Sequence, residues 1–257
     1  MTNFDDELHQ LVRSADGSCT AYSQEYEEHY HSTKDGALHE SLYKHIIPAL
    51  SIVDKDEICI LDICYGLGFN TLATLLYVKE HFPKKKISLY SPELDASLVQ
   101  SLENFTYPKE FDSLKEIIVA LSKNQCYEDE QVKIEIFLGD ARVYVKEFSE
   151  KFDIVYQDAF SPSSNPILWT KEYFSDIKNA MKPSGVLTTY SISLKTRLAL
   201  YENDFYIYLN SGEEFRSATV ASLTPLSVFE KVDMEHKISC NPDATALCDK
   251  ELGADYI

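Results

Sequence analysis

The chain has 257 residues, 44% of them hydrophobic, with six cysteines and a formal net charge of −18. That length buries one substantial core, no apolar run reaches the roughly 18 residues of a membrane span, and Met1-Thr2-Asn3-Phe4-Asp5-Asp6-Glu7 lacks the basic start of a signal peptide, so the expected location is cytoplasmic. The negative charge excludes long-range steering toward phosphate and confines any nucleic-acid footprint to a local surface.

The first 50 residues, rich in Tyr, His and Glu, are expected to form an extension packed on a core over 51–225, with a second extension over 226–257. Within the core, apolar β-rich runs alternate with helical patterns. The sequence predicts a strand over 58–63, a helix over about 70–80, a strand over 87–90 and helices over 96–103 and 111–123. A strand over 132–138, a helix over 142–148, a strand over 152–156 and a helix over 171–181 follow. The end departs from this alternation: strand 186–191 and helix 194–201 precede strands 205–209 and 218–223, joined through Gly212 as a closing hairpin. The expected architecture is a Rossmann-like α/β fold with a mostly parallel seven-stranded sheet and a C-terminal antiparallel hairpin strand. This order resembles the class I methyltransferases.

The stretch Asp62-Ile63-Cys64-Tyr65-Gly66-Leu67-Gly68-Phe69-Asn70-Thr71 is a strand end, a tight turn and a helix start. Glycines there let backbone approach a ligand. A dinucleotide fingerprint would place a third glycine at Thr71, and Asp62 ahead of the turn would repel pyrophosphate. An acid suits an ammonium instead, and S-adenosyl-L-methionine carries an amino-acid end and a sulfonium. The turn resembles the methyltransferase pattern D-x-G-x-G-x-G, except that Cys64 stands where the first glycine belongs. Glu93, just past the strand over 87–90, is expected to accept the ribose hydroxyls, with Asp95 as its competitor. Asp140, followed by Ala141, is placed either to accept from the adenine amine or to cap the next helix.

The loop Asp158-Ala159-Phe160-Ser161-Pro162, with Asn165-Pro166 and Trp169-Thr170, presents a carboxylate, an aromatic and prolines at the carboxyl end of a strand, where parallel-sheet folds keep their chemistry. Together with Gly66 to Thr71, and with Tyr30-His31-Ser32, Gly36-Ala37 and Glu40-Ser41, it resembles the methyltransferase domain of the bacterial tRNA 5-methylaminomethyl-2-thiouridine biosynthesis enzymes, from about Asp16 to Ser222. The resemblance implies transfer of a methyl group from S-adenosyl-L-methionine to the amine of 5-aminomethyl(-2-thio)uridine at the tRNA wobble position. It also implies a stand-alone form lacking the flavin oxidase domain, with a separate enzyme supplying the aminomethyl substrate.

A primary alkylammonium has no lone pair, so the reaction needs an acceptor for its proton, and Asp158 is the candidate, with turn capping as the plain alternative. Phe160 is read as stacking on the uracil, lying near the sulfonium or packing in the core, with Pro162 stiffening its loop. Trp169 reads as a core anchor. Tyr30 and His31 are candidates to close the pocket, His31 being equally a structural histidine. Tyr190, Lys195 and Arg197 are candidates to border an RNA-facing mouth, the last two otherwise being surface charges. Lys84-Lys85-Lys86 reads as a solvated turn, the scattered cysteines as free thiols, and no His/Cys spacing points to a metal. Two rival readings stand beside the tRNA one: an aminopropyl- or methyltransferase acting on free polyamines, which an acidic cleft would attract, and a non-catalytic cofactor-fold protein that docks a partner.

Overall fold

The computed structural model describes residues 4, 8–15 and 17–253. Asp16 and the opening residues other than Phe4 and Leu8 onward lie outside that set. Three short strands come first, β1 His9–Arg13, β2 Cys19–Ser23 and β3 Glu28–His29, paired antiparallel in that order. A continuous helical stretch over 37–50 follows, whose middle, Ser41–Ile46, is a π-helix closed by the Ile47 N–H donating to the Leu42 carbonyl.

The second sheet contains β4 Glu57–Ile63, β5 Lys86–Glu93, β6 Cys126–Glu128, β7 Val132–Leu138, β8 Phe152–Gln157, β9 Met181–Thr189, β10 Tyr206–Asn210, β11 Ala218–Ser222 and β12 Glu230–Lys231. Its order is β12-β10-β11-β9-β8-β4-β5-β7-β6. The five strands from β9 to β7 run parallel, and β6, β10, β11 and β12 pair antiparallel at the edges. Every residue of β8 is buried, as a parallel strand covered on both faces requires. Alternation divides the core by face: Ile60, Ile154 and Tyr156 join Phe69 and Leu72 on one side, while Leu61 and Val155 join Trp169, Phe174 and Leu187 on the other.

The α/β class and the methyltransferase-like order are those the sequence predicts, with four differences. The sheet has nine strands, because β6 and β12 are too short to carry a period. β9 begins at Met181, ahead of Pro183 and Gly185, with a register irregularity against Phe152 to Ile154. The helices expected over 96–103 and 142–148 are shorter, Ala96–Ser101 and Ala141–Val145. Beyond 225, helix Met234–Cys240 buries Met234, and Asp249 receives a bidentate fork from Arg142 at 2.9 and 2.6 Å. Among the described residues no helix is long and apolar enough to cross a membrane.

In the sheet order, β5 lies on one side of β4 and β8 on the other, which makes the gap between β4 and β8 the switch point of the winding. A crevice opens there, beyond the carboxyl ends of the strands.

Candidate active site

A cleft of about 1170 Å³ lies over this switch point, floored by the turn after β4 and the ends of β5, β7 and β8, and covered by 23–35 from the N-terminal extension. The turn is built from left-handed backbone: Cys64 has φ 65°, Gly66 53° and Gly68 76°. At Gly68 a Cβ would stand 2.6 Å from the Tyr65 hydroxyl, so that position needs glycine for space as well as for backbone, while at Gly66 the positive φ is the main demand and a Cβ would press on the Tyr30 ring at 3.2 Å. Cys64 takes the same left-handed backbone with a side chain that is partly buried at the cleft wall. Burial pushes that thiol well above its ordinary range.

Four carboxylates lie at or near the strand ends, and their surroundings differ. Asp62 is wholly buried beneath the floor, where it accepts from the Thr71 hydroxyl at 2.9 Å and faces the Asn70 amide at 3.4 Å. Burial raises its pKa to about 7, against the Thr71 hydrogen bond. Asp62, Gly68 and Thr71 do not line the cleft; they shape the turn from below. Glu93 lines it, accepting from Gly66 N–H at 2.8 Å and Asp95 N–H at 2.9 Å, and burial raises its pKa. Asp95 also lines the cleft but is already committed: it caps the helix through Leu98 N–H at 2.9 Å and lies 3.1 Å from His9 Nε2, which holds it far below the usual carboxylate range. Asp140 is exposed at the rim beside Ala141 and caps its helix through Arg142 N–H at 2.7 Å.

The fourth is Asp158, just past β8, with 10% of its side chain exposed. One carboxylate oxygen accepts from the Asn70 amide at 2.8 Å, and the other lies 3.4 Å from His45 Nε2. Burial alone would raise its pKa, but His45, with His31 and Asn70, outweighs burial and holds it below its ordinary value. An anchored, ionised carboxylate facing a cleft can orient an N–H group and take its proton.

The cover is aromatic. Phe160 stacks on Tyr26 with centroids 4.6 Å apart and meets Tyr30 edge-on at 4.9 Å. Its loop is tied down by Ser161 N–H donating to Glu28 at 3.0 Å, Tyr190 Oη to the Ala159 carbonyl at 2.9 Å, and Trp169 Nε1 to the Phe160 carbonyl at 2.7 Å. Phe160, Pro162, Tyr190, Tyr30 and His31 all line the cleft, and His31 also packs edge-on against Phe69. Trp169 is buried in the core, as read.

Lys195 and Arg197 do not line the cleft. Lys195 is exposed on its helix, whereas Arg197 is a correction to a surface reading: it is buried and donates from Nε to Thr219 Oγ1 at 3.1 Å. Residues that the sequence did not single out include His45, Tyr26 and Glu28, together with Lys44, which pairs with Glu40 at 2.7 Å and Asp35 at 3.0 Å in the cleft wall. Only the Gly36-Ala37 and Glu40-Ser41 likenesses touched this helix.

The donor set suits a cofactor with an amino-acid end, a ribose and an adenine: a turn of exposed backbone, an acid with two backbone-bound oxygens at the next strand end, and an acid at the rim beyond. A family model described as an S-adenosyl-L-methionine-dependent methyltransferase matches residues 109–223. The crystal structure of MnmC2 from Aquifex aeolicus superposes with a TM-score of 0.80 at 32% identity, over 95% of this chain and 79% of that one. An uncharacterised protein of Methanocaldococcus jannaschii is 32% identical over 204 residues, covering 78% of this chain and 55% of its own length. The tRNA 5-methylaminomethyl-2-thiouridine biosynthesis bifunctional protein MnmC of Leptospira interrogans is 27% identical over 210 residues, 75% of this chain and 32% of its own. The chain thus spans about half the length of one of these curated relatives and about a third of the other. With S-adenosyl-L-methionine as its cofactor, the chain belongs to the MnmC2-type family of S-adenosyl-L-methionine-dependent methyltransferases.

Proposed function

We propose that this methyltransferase acts on tRNA, converting the primary amine of 5-aminomethyl(-2-thio)uridine at the wobble position to 5-methylaminomethyl(-2-thio)uridine. The observation that carries the reading is Asp158: a carboxylate at the end of β8, ionised although mostly buried, fixed by Asn70 and open to the cleft beneath Phe160. S-adenosyl-L-methionine supplies an electrophilic methyl group on a sulfonium. The chain's own residues do the rest: the Cys64 to Gly66 turn holds the amino-acid end, Glu93 the ribose, since Asp95 is already committed to His9 and its helix cap, and Asp140 with Ala141 borders the adenine. Phe160 and Tyr30 face the acceptor base, and Asp158 holds the amine and takes its proton. Lys34 and Arg216 at the cleft wall give the local basic contacts that an acidic chain needs for RNA. The reaction belongs in the cytoplasm, with a separate enzyme supplying the aminomethyl group.

A second reading, a polyamine as acceptor, is favoured by one observation. The cleft is lined by eight acidic residues (Glu25, Glu28, Asp35, Glu40, Glu93, Asp95, Asp140, Asp158) and three basic ones (Lys34, Lys44, Arg216), a balance that attracts polycations. The deciding experiment incubates the protein with methyl-labelled S-adenosyl-L-methionine and tRNA bearing aminomethyluridine, beside free polyamines. Labelled methylaminomethyluridine is the expected product; label in the polyamine alone would replace the tRNA reading, and cofactor binding without turnover on either would leave a docking protein.

A further inference from the structure

We propose that His45 is a positioning residue of this site, receiving through Asp158 the proton that the acceptor ammonium gives up. His45 is completely buried and does not line the cleft, so it cannot touch the substrate itself. It stands on the π-helical turn Ser41–Ile46, where the wider helix backbone changes which way a side chain faces. Its Nδ1 lies 3.0 Å from Thr188 Oγ1 on β9, and its ring meets Tyr156 of β8 edge-on. Nε2 lies 3.4 Å from Asp158 Oδ1 and has no aligned hydrogen-bond partner. In the tautomer that donates Nδ1–H to Thr188, a nitrogen lone pair and a carboxylate oxygen face each other with room for one proton between them.

A buried ring nitrogen left without an aligned partner in this way needs an explanation, and a lone pair kept vacant to accept a proton supplies one. The titratable groups around it are few. Asp158 faces it after β8, Asp62 lies on β4, Tyr156 on β8, and His31 approaches Asp158 from the N-terminal extension. On its own helix, Lys44 is engaged by Glu40 and Asp35. Asn70 fixes the second Asp158 oxygen, so the carboxylate cannot turn away from the histidine.

The direction of proton travel rests on the acceptor being a primary ammonium, as proposed above. One N–H bond of the ammonium breaks, its electron pair becoming the amine lone pair, and the proton passes to Asp158. Asp158 hands a proton to His45 Nε2, returning to carboxylate and leaving an imidazolium; after product release the proton goes back through Asp158 to solvent. An imidazole is a stronger base than a carboxylate, so the pair is a better match to the ammonium donor than a lone carboxylate.

The test needs no acceptor. Carbon-13 NMR of aspartate-labelled protein, with the Asp158 signal identified by its loss in Asp158→Asn, follows that carboxyl against pH in wild type and in His45→Gln. Loss of the histidine is expected to move the Asp158 titration upward by about one pH unit or more, with cofactor affinity by calorimetry unchanged within about threefold. An unmoved Asp158 titration overturns the proposal, whatever the acceptor proves to be. Where wild type methylates an acceptor, His45→Gln is expected to lower kcat by about tenfold or more and to displace the acid limb of its pH profile. A profile lowered uniformly, with its limb in place, would mark a packing role only. Should His45→Gln not fold, Thr188→Val frees Nδ1 with nearly the same volume and is expected to move the Asp158 titration in the same direction; no movement there counts equally against the idea.

Discussion

β8 carries an aspartate near each end, and the two have opposite partners. Asp153, at its amino end, is 1% exposed and accepts from Lys55 Nζ at 2.6 Å, Lys182 Nζ at 2.7 Å and Cys59 N–H at 3.0 Å. Asp158, just past its carboxyl end, has an amide and an imidazole and faces a cleft. Both are held below the ordinary carboxylate range against burial, Asp153 by its lysines and Asp158 chiefly by His45. The first is saturated with donors and ties β8 to β4 and β9. The second keeps lone pairs for a ligand. A depressed pKa alone therefore does not separate a structural acid from a working one; the kind of donor and the access to solvent do.

The largest expected effect is a crossed pair of substitutions. Asp158→Asn is expected to lower methyl transfer by about 10²–10⁴-fold with a urea midpoint only modestly lowered, since Asn keeps the shape and one acceptor oxygen but gives up the charge that His45 and Asn70 favour. Asp153→Asn is expected to leave the rate within about threefold and to cost about 2 kcal/mol in urea denaturation, a figure kept small because both lysines are partly exposed. If Asp153→Asn lost activity at unchanged stability, the division between the two ends would be wrong.

Asp62 sharpens the comparison through pH. Its folded pKa, near 7, lies above that of an unfolded aspartate, so its contribution to stability is complete below about pH 4 and is lost as pH rises to 7. Asp158 has the opposite sign: its contribution holds above the unfolded value and fades as pH falls through its depressed folded one. Asp62→Asn is accordingly expected to flatten the stability curve between pH 4 and 7 and to stabilise the protein at pH 8, by an amount on the order of 3 kcal/mol. Urea midpoints at four pH values check it, and a variant less stable than wild type at pH 8 would show Asp62 ionised and satisfied in the native protein.

Much of this frame is legible in the sequence, because a parallel sheet writes itself as apolar runs separated by helical periods, and strand ends can be read where those runs stop. Asp62, Glu93, Asp140 and Asp158 are found that way. The partners that give each acid its character are not. His45 comes from a helix far upstream, on a π-turn that no local pattern marks, and meets Asp158 only in the folded chain. The cover formed by Tyr26 and Glu28 belongs to a turn and the two-residue strand β3, whose docking depends on the completed sheet. Arg197 was ambiguous for a related reason: on the short helix Leu194–Tyr201, Lys195 faces water while Arg197 turns inward to Thr219, and only the position of β11 decides which.

The smallest expected effect concerns Cys64, the departure from the glycine pattern. Its φ of 65° is left-handed, which costs a side-chain-bearing residue about 1 kcal/mol. Cys64→Gly removes that strain but also frees the unfolded chain by a comparable amount and gives up the packing of a partly buried thiol, so the two effects nearly cancel. Thermal melts are expected to agree within about 0.5 kcal/mol, and cofactor affinity to be unchanged. Cys64→Val keeps the bulk but adds a β-branch to left-handed backbone, where such residues are outliers, and is expected to cost about 2 kcal/mol and to weaken cofactor binding as the turn shifts. Were valine tolerated as well as glycine, the turn would owe its shape to Gly66 and Gly68 alone, and the backbone at 64 would be free to relax out of the left-handed region.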